Sequence, residues 1–141
     1  MVCLEHADTS AAVVSERSSD DHHPQPHHRP CPRQEGSGAI FARIFGLHAD
    51  PKDGHFAPVR INGTLTLLFD DDEEFESHHC AFHVSDAEFD AIFGRIREAK
   101  LAYSSAPWSL DDGKLNDWSG GRGVYFRDLD GHVLELMTVP Q

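Results

Sequence analysis

Ser85, Asp86, Ala87 and Glu88 stand directly between a strand-like run and a helix-like one, and this junction constrains the fold more than any other part of the chain. A serine three residues before a glutamate forms a capping box: the Ser85 hydroxyl accepts from the amide of residue 88 while Glu88 reaches back to the Ser85 amide. Before it, residues 78–84 alternate as a strand does; after it, Phe89, Ile92, Phe93 and Ile96 fall at i, i+3, i+4 and i+7. A strand is therefore predicted to run straight into an amphipathic helix. Residues 101–103, 122–127 and 132–138 then read as strands, the last two turned at Asp130-Gly131. Residues 77–138 thus predict a strand, a helix and three strands.

An earlier stretch repeats part of this order. Ala39, Ile40, Phe41, Ile44, Phe45 and Leu47 recur at helical spacing, and Gly46 sits where a helix would end. Residues 56–61 and 64–69 flank Asn62-Gly63, a strong hairpin signal. The acidic run 70–76 predicts a solvated connection, because it lacks the spaced ligands and glycine of a calcium loop. Residues 37–69 accordingly supply a helix and two or three strands, but no opening strand. The long polar loop 104–121 carries Trp108, Trp118 and Gly120-Gly121; loops of that length serve as lids or binding loops, or are plain surface irregularity.

Residues 1–36 have a different composition, rich in Ser, Asp, His and Pro and without an apolar period, so disorder is expected there. They hold His6, His22, His23, His27 and His28, five of the chain's 11 histidines. His-rich tracts can bind metal loosely, and a solvated tail is the simpler reading. The folded unit is expected over residues 37–141. A formal charge of -12 excludes a general nucleic-acid binder, since phosphate affinity comes from clustered Lys and Arg. No apolar window is long enough to span a membrane, and the start lacks the basic and apolar regions of a signal peptide, which predicts a cytoplasmic protein. Cys3, Cys31 and Cys80 are odd in number and far apart, which fits a reducing compartment.

Three segments carry a resemblance: Phe41-Ala-Arg-Ile-Phe-Gly-Leu47, His78-His-Cys-Ala-Phe82 and Gly123-Val-Tyr-Phe-Arg-Asp-Leu-Asp-Gly-His-Val-Leu-Glu-Leu136. Together, over residues 37–141, they resemble the vicinal oxygen chelate superfamily of glyoxalases, bleomycin-resistance proteins and extradiol dioxygenases. The closing hairpin is the most specific part, and Leu129 departs from it where the family usually has proline. The resemblance implies an α+β fold of paired βαβββ modules, glyoxalase/dioxygenase-like, whose sheets curl around a cavity. The first module lacks its opening strand by this reading.

The resemblance further implies a divalent metal ion, such as iron(II), manganese, zinc or nickel, held by His79 and Glu135. Strand alternation permits the pairing: Cys80, Phe82 and Val84 share one face, leaving His79, Ala81 and His83 on the other, and Glu135 lies opposite in parity to Leu134 and Leu136. A carboxylate in an apolar strand is costly unless a cation or hydrogen bonds compensate it. Glu135 and Tyr125 are the candidate catalytic residues, with Tyr125 as proton donor and Arg127 as anion clamp; a core tyrosine and a surface arginine are the competing readings. His78 faces away by parity, and His132 is expected to order the hairpin. For the first-module ligand, Asp70 is a weak substitute, and His27 or His28 lies near the right place in the chain.

Family members often open on a strand resembling His-Thr-Ile-Val-Pro-Ala-Arg-Asp-Lys. Codons compatible with Pro26 to Gln34, read one nucleotide along, translate to that strand. Residues 1–36 are thus either a divergent disordered extension or an out-of-frame segment, the second implying an impaired site and an exposed sheet edge. The expected function is a metal-dependent enzyme of glyoxalase or dioxygenase type acting on a small oxygenated molecule. The alternatives are a non-catalytic, drug-sequestering binder of bleomycin-resistance type and an inert product of a damaged gene. Partners are a small-molecule substrate or ligand and, by resemblance, a second copy in a homodimer; neither nucleic acid nor membrane is expected.

Overall fold

A computed structural model describes residues 2–4, 36–70, 76–109 and 111–140. Apart from Val2–Leu4 and Gly36, the segment expected to be disordered or out of frame lies outside the described residues, as do residues 71–75 of the acidic run. The described residues form two four-stranded sheets, two α-helices and a short 3-10 turn, Trp118–Gly120, an α+β fold of paired modules. No helix among them is long and apolar enough to cross a membrane.

The first module contains α1 (Ser37–Phe45), β2 (His48–Ala49), β3 (Phe56–Arg60) and β4 (Thr66–Asp70), with β1 (Val2–Leu4) beside β4. The second contains β5 (His79–His83), α2 (Asp86–Glu98), β6 (Tyr103–Ser104), β7 (Gly123–Arg127) and β8 (Val133–Met137). Strand order is the same in both: β1-β4-β3-β2 and β5-β8-β7-β6. Direction differs at one edge. β5 runs parallel to β8, as a strand-helix-strand crossover requires, whereas β1 pairs antiparallel with β4, Cys3 opposite Leu67. The opening position that the sequence left unassigned is therefore taken by a three-residue strand of the opposite sense.

Local chemistry sets the helix ends. The capping box is present in both directions: the Glu88 amide donates to Ser85 Oγ at 3.3 Å and the Ser85 amide to Glu88 Oε2 at 2.8 Å. The Ser85 hydroxyl, which donates to Glu88 Oε2 at 2.6 Å, and then the Ser85 amide hold the Glu88 carboxyl below its usual range. Helix α1 stops at Gly46, whose φ of +71° is open to glycine, and the Arg95 guanidinium of α2 lies against this glycine and donates to the Ile44 carbonyl. One arginine thus satisfies the last turn of one helix from the flank of the other.

The β3–β4 hairpin forms, but not as the tight two-residue turn that Asn62-Gly63 suggested. Arg60 pairs with Thr66, so residues 61–65 make the connection. Asn62 Oδ1 accepts from the amides of Thr64 and Leu65, both at 2.8 Å, and from the Thr64 hydroxyl. The asparagine organises a wider loop by substituting its side chain for a backbone acceptor.

Alternate residues of β3, β4, β5, β7 and β8 enter one continuous core. Phe41, Ala42 and Ile44 of α1 meet Val59, Leu67 and Phe69 of the first sheet and Phe82, Phe126 and Leu136 of the second, with Phe89, Ile92 and Ile96 of α2 closing the cluster. Phe41 and Phe45 stack at 4.2 Å, and each reaches a ring of the other module: Phe45 lies 4.8 Å from Phe82 and 6.3 Å from Phe126. All helix-facing positions are thereby used, so any chemistry falls to the opposite sheet faces.

Candidate functional site

On the face of the second sheet turned away from the helices, Glu135 occupies the middle of β8, with Ala81 of β5 on one side and Tyr125 of β7 on the other. It is 4% exposed. The Tyr125 hydroxyl donates to Glu135 Oε1 at 2.5 Å, and Glu135 Oε2 lies 3.0 Å from His79 Nε2. The three residues singled out in the sequence are therefore brought into one chain of contacts, His79 half-buried at its outer end. Ala81, with only a methyl group beside Glu135, leaves the carboxylate room to reach His79. Burial raises the Tyr125 hydroxyl well above its usual range, and the neighbouring carboxylate adds to the effect. The proton therefore stays on Tyr125 Oη at neutral pH.

Other candidates fall elsewhere. Arg127 is exposed and donates to the Gly131 carbonyl at 2.6 Å, so it braces its own hairpin. Asp70 Oδ1 lies 2.8 Å from His55 Nδ1. His78 stacks on His132, 5.6 Å between centroids, and its amide donates to His132 Nδ1, which ties the start of β5 to the turn. His27 and His28 lie outside the described residues. Among the described residues, no group of three His, Cys, Asp or Glu side chains could hold a metal ion.

The same register in the first module gives a different chemistry. There the central cross-strand pair is Pro58 opposite Leu68, where the second module has Tyr125 opposite Glu135. Core-facing residues correspond as well: Leu67 and Phe69 flank Leu68 as Leu134 and Leu136 flank Glu135. At this central position one module is thus polar and the other apolar.

The residues that sequence reasoning missed lie in the 104–121 loop. Asn116, 9% exposed, donates from Nδ2 to the Ser105 carbonyl and accepts the Trp118 amide at Oδ1, while its backbone exchanges two 2.9 Å hydrogen bonds with Gly123 of β7. Asp112 accepts from the Ser105 amide and hydroxyl and from the Lys114 amide. The loop is accordingly a built structure. Trp118 is held 5.9 Å from the Tyr125 ring, and Trp108 stacks on Trp118 at 6.1 Å. The only sequence signal was an asparagine between two tryptophans and a glycine pair.

Gly123 admits no side chain here. A Cβ would stand 2.3 Å from Asn116 Oδ1, so Gly123→Ala is expected to push Asn116 off the Trp118 amide. Thermal unfolding should show a loss of about 1–3 kcal/mol, as for other overpacked sites. Tryptophan emission should shift to the red as Trp118 leaves Tyr125; unchanged emission would contradict the role given to Asn116.

No family model matches the chain. Among solved structures it is similar to Oxidase ChaP-H2, with 44% identity and a TM-score of 0.68 over 74% of this chain and 83% of that one. Among characterised proteins it is similar to the metallothiol transferase FosB of Lysinibacillus sphaericus, 27% identical over 110 residues, 74% of this chain and 73% of that protein. A glyoxylase/bleomycin resistance protein/dioxygenase domain from Frankia sp. EAN1pec shares the fold, with 21% identity and a TM-score of 0.51 over 69% of this chain and 76% of that one.

Proposed function

From the premise that the chain belongs to the vicinal oxygen chelate superfamily, we propose that it is a divalent-metal-dependent enzyme of oxidase or dioxygenase character acting on a small oxygenated molecule, with its site on the outer face of the β5-β8-β7 sheet. The observation that carries this reading is the buried Glu135 carboxylate, held at one oxygen by Tyr125 and set 3.0 Å at the other from His79 Nε2. An imidazole nitrogen and a carboxylate oxygen turned toward each other are donors that a divalent ion accepts. The pair therefore fits two positions of a metal site.

His79 Nε2 and Glu135 Oε2 would hold the ion, which when bound supplies Lewis acidity toward two neighbouring substrate oxygens. The chain's own residues do the rest. Tyr125 keeps its proton on Oη and orients Glu135 by donating to Oε1, so that Oε2 is turned toward His79. Trp118 packs beside the Tyr125 ring, 5.9 Å between centroids and tilted by 58°. The similarity to an oxidase at 44% identity favours oxidase over thiol-transfer chemistry. We also assign residues 37–141 as the domain and 1–36 as a separate segment, since the matched share of the chain is the share that residues 37–141 make up.

A second reading, a metal-free small-molecule binder, is favoured by the count of only two suitable donors among the described residues. Metal analysis of the purified full chain separates the two. Stoichiometric divalent metal is expected, lost in both His79→Ala and Glu135→Ala. A folded wild-type chain that takes up no divalent ion would overturn the enzyme and leave the binder.

A further inference from the structure

Glycine follows an aspartate or asparagine at Asp53-Gly54, Asn62-Gly63, Asp112-Gly113 and Asp130-Gly131. Gly54, Gly113 and Gly131 have φ of +62°, +66° and +87°, a conformation that calls for glycine. Gly63 is different. Its φ lies outside the left-handed region and a Cβ built on it would meet nothing within 4 Å, so neither backbone nor space requires glycine there. What the missing side chain leaves open is the Gly63 amide. It is exposed and has no hydrogen-bond partner among the described residues, whereas the Gly113 amide donates to the Tyr103 carbonyl and the Gly131 amide to that of Asp128.

The group such an amide can attack is the side chain just before it. Asn62 Oδ1 accepts from the Thr64 and Leu65 amides, both at 2.8 Å, and from the Thr64 hydroxyl at 3.0 Å. These bonds fold the carboxamide forward over its own turn, so that the ring closed by the Thr64 amide encloses the peptide of residue 63. Three donors on one oxygen also draw electrons away from Cγ, and they stand where negative charge gathers when a nucleophile adds to that carbon. Asn62 is exposed, and its Nδ2 has no partner among the described residues that would hold it back from water. At Asp53, the other position whose following amide is without a partner, the side chain is a carboxylate, which resists the same attack.

We propose that Asn62 is a site of spontaneous deamidation, promoted by the folded loop. The Gly63 amide gives its proton to hydroxide, and its nitrogen bonds to Asn62 Cγ while the carbonyl electron pair moves onto Oδ1. That pair then returns, the Cγ–Nδ2 bond breaks, and ammonia leaves with a proton taken from water, so that hydroxide is regenerated and a succinimide remains. Water opens the succinimide at either carbonyl and gives aspartate or isoaspartate at position 62. No oxidant or reductant takes part. Isoaspartate carries the main chain through its side-chain carbon, which lengthens a connection set by the Arg60–Thr66 pair and falls on the β3–β4 hairpin. The reaction is independent of what the β5-β8-β7 face binds.

Incubation of the full chain in mildly alkaline buffer, followed by peptide mapping with electron-transfer fragmentation, tests it. The peptide holding Asn62 should gain the mass of water and lose that of ammonia, with isoaspartate among the products. The folded chain should react at least as fast as the same chain in urea. Gly63→Val, whose side chain enters open space, should slow the reaction by about tenfold by crowding the attacking nitrogen. Thr64→Val removes one donor to Oδ1 and should slow it by about two- to fivefold in the folded chain and not in urea. Thermal unfolding checks that both variants fold, and the wild-type comparison with urea needs neither of them. A folded chain slower than the unfolded one, a folded Thr64→Val rate equal to wild type, or aspartate without isoaspartate would each overturn the assignment.

Discussion

Phe41→Ala is expected to destabilise the protein by about 3–5 kcal/mol, the usual cost of deleting a buried phenylalanine ring. Phe41 is 2% exposed and touches three rings: Phe45 at 4.2 Å, Phe69 of β4 at 5.3 Å and Phe82 of β5 at 5.7 Å. It is therefore shared by α1 and both sheets, and collapse around the cavity from one side leaves the other side unfilled. Domains of this size are stable by only about 5–15 kcal/mol, so the loss is a large fraction of the total. Urea unfolding of the variant against Leu129→Ala, which lies 56% exposed in a turn, gives the comparison. Leu129→Ala should fall within about 0.5 kcal/mol of wild type. A Phe41→Ala loss below about 1 kcal/mol would mean that the two modules do not share this core.

The second large effect is in the closing hairpin and depends on pH. Asp128 Oδ1 accepts from the amides of Asp130 and His132, but its Oδ2 is buried with no hydrogen-bond partner among the described residues. Burial pushes the Asp128 carboxyl from 3.8 up to about 6. Burial pushes the imidazole of His132, 3% exposed, from 6.5 down to about 4.

The two act in opposite senses. For Asp128 the native state keeps a proton that the unfolded chain releases, so its contribution is full at low pH and is lost as pH rises from about 4 to about 6. For His132 the unfolded chain takes a proton that the native state refuses. That contribution is full above about 6.5 and is lost as pH falls toward about 4. Over the shared window they offset each other, and the wild-type contribution of this hairpin is nearly flat. Asp128→Asn keeps the oxygen that caps the turn and removes the buried charge. In this variant stability should climb by about 2–3 kcal/mol between pH 4 and 6.5, a slope the wild type lacks. Urea midpoints across that range measure it, and parallel profiles for the two proteins would sink the assignment.

Much of this architecture was legible in the chain. The capping box at Ser85 and Glu88, the αL stop at Gly46 and the Asp130-Gly131 turn are local motifs whose chemistry acts within four residues, and each was read correctly. Parity within β5 and β8 placed His79 and Glu135 on the face away from Cys80, Phe82, Leu134 and Leu136, because a strand repeats every two residues whatever surrounds it. What sequence could not supply was nonlocal. The donation of Tyr125 to Glu135, the turning of Arg127 back onto Gly131, and the grip of Asn116 on Trp118 each depend on which strand lies beside which. The Asn62 loop was misjudged for a related reason: its side chain outcompeted the backbone geometry that Asn-Gly usually adopts.

The register shared by the pairs Pro58–Leu68 and Tyr125–Glu135 has one more consequence. The fold presents the same central position twice, once apolar and once carrying a phenol and a carboxylate, and no residue of either pair faces the helices. These two positions are therefore set apart from the core-facing positions of the same strands. The Pro58–Leu68 pair thus serves as an internal reference for what the Tyr125–Glu135 pair adds at the same register.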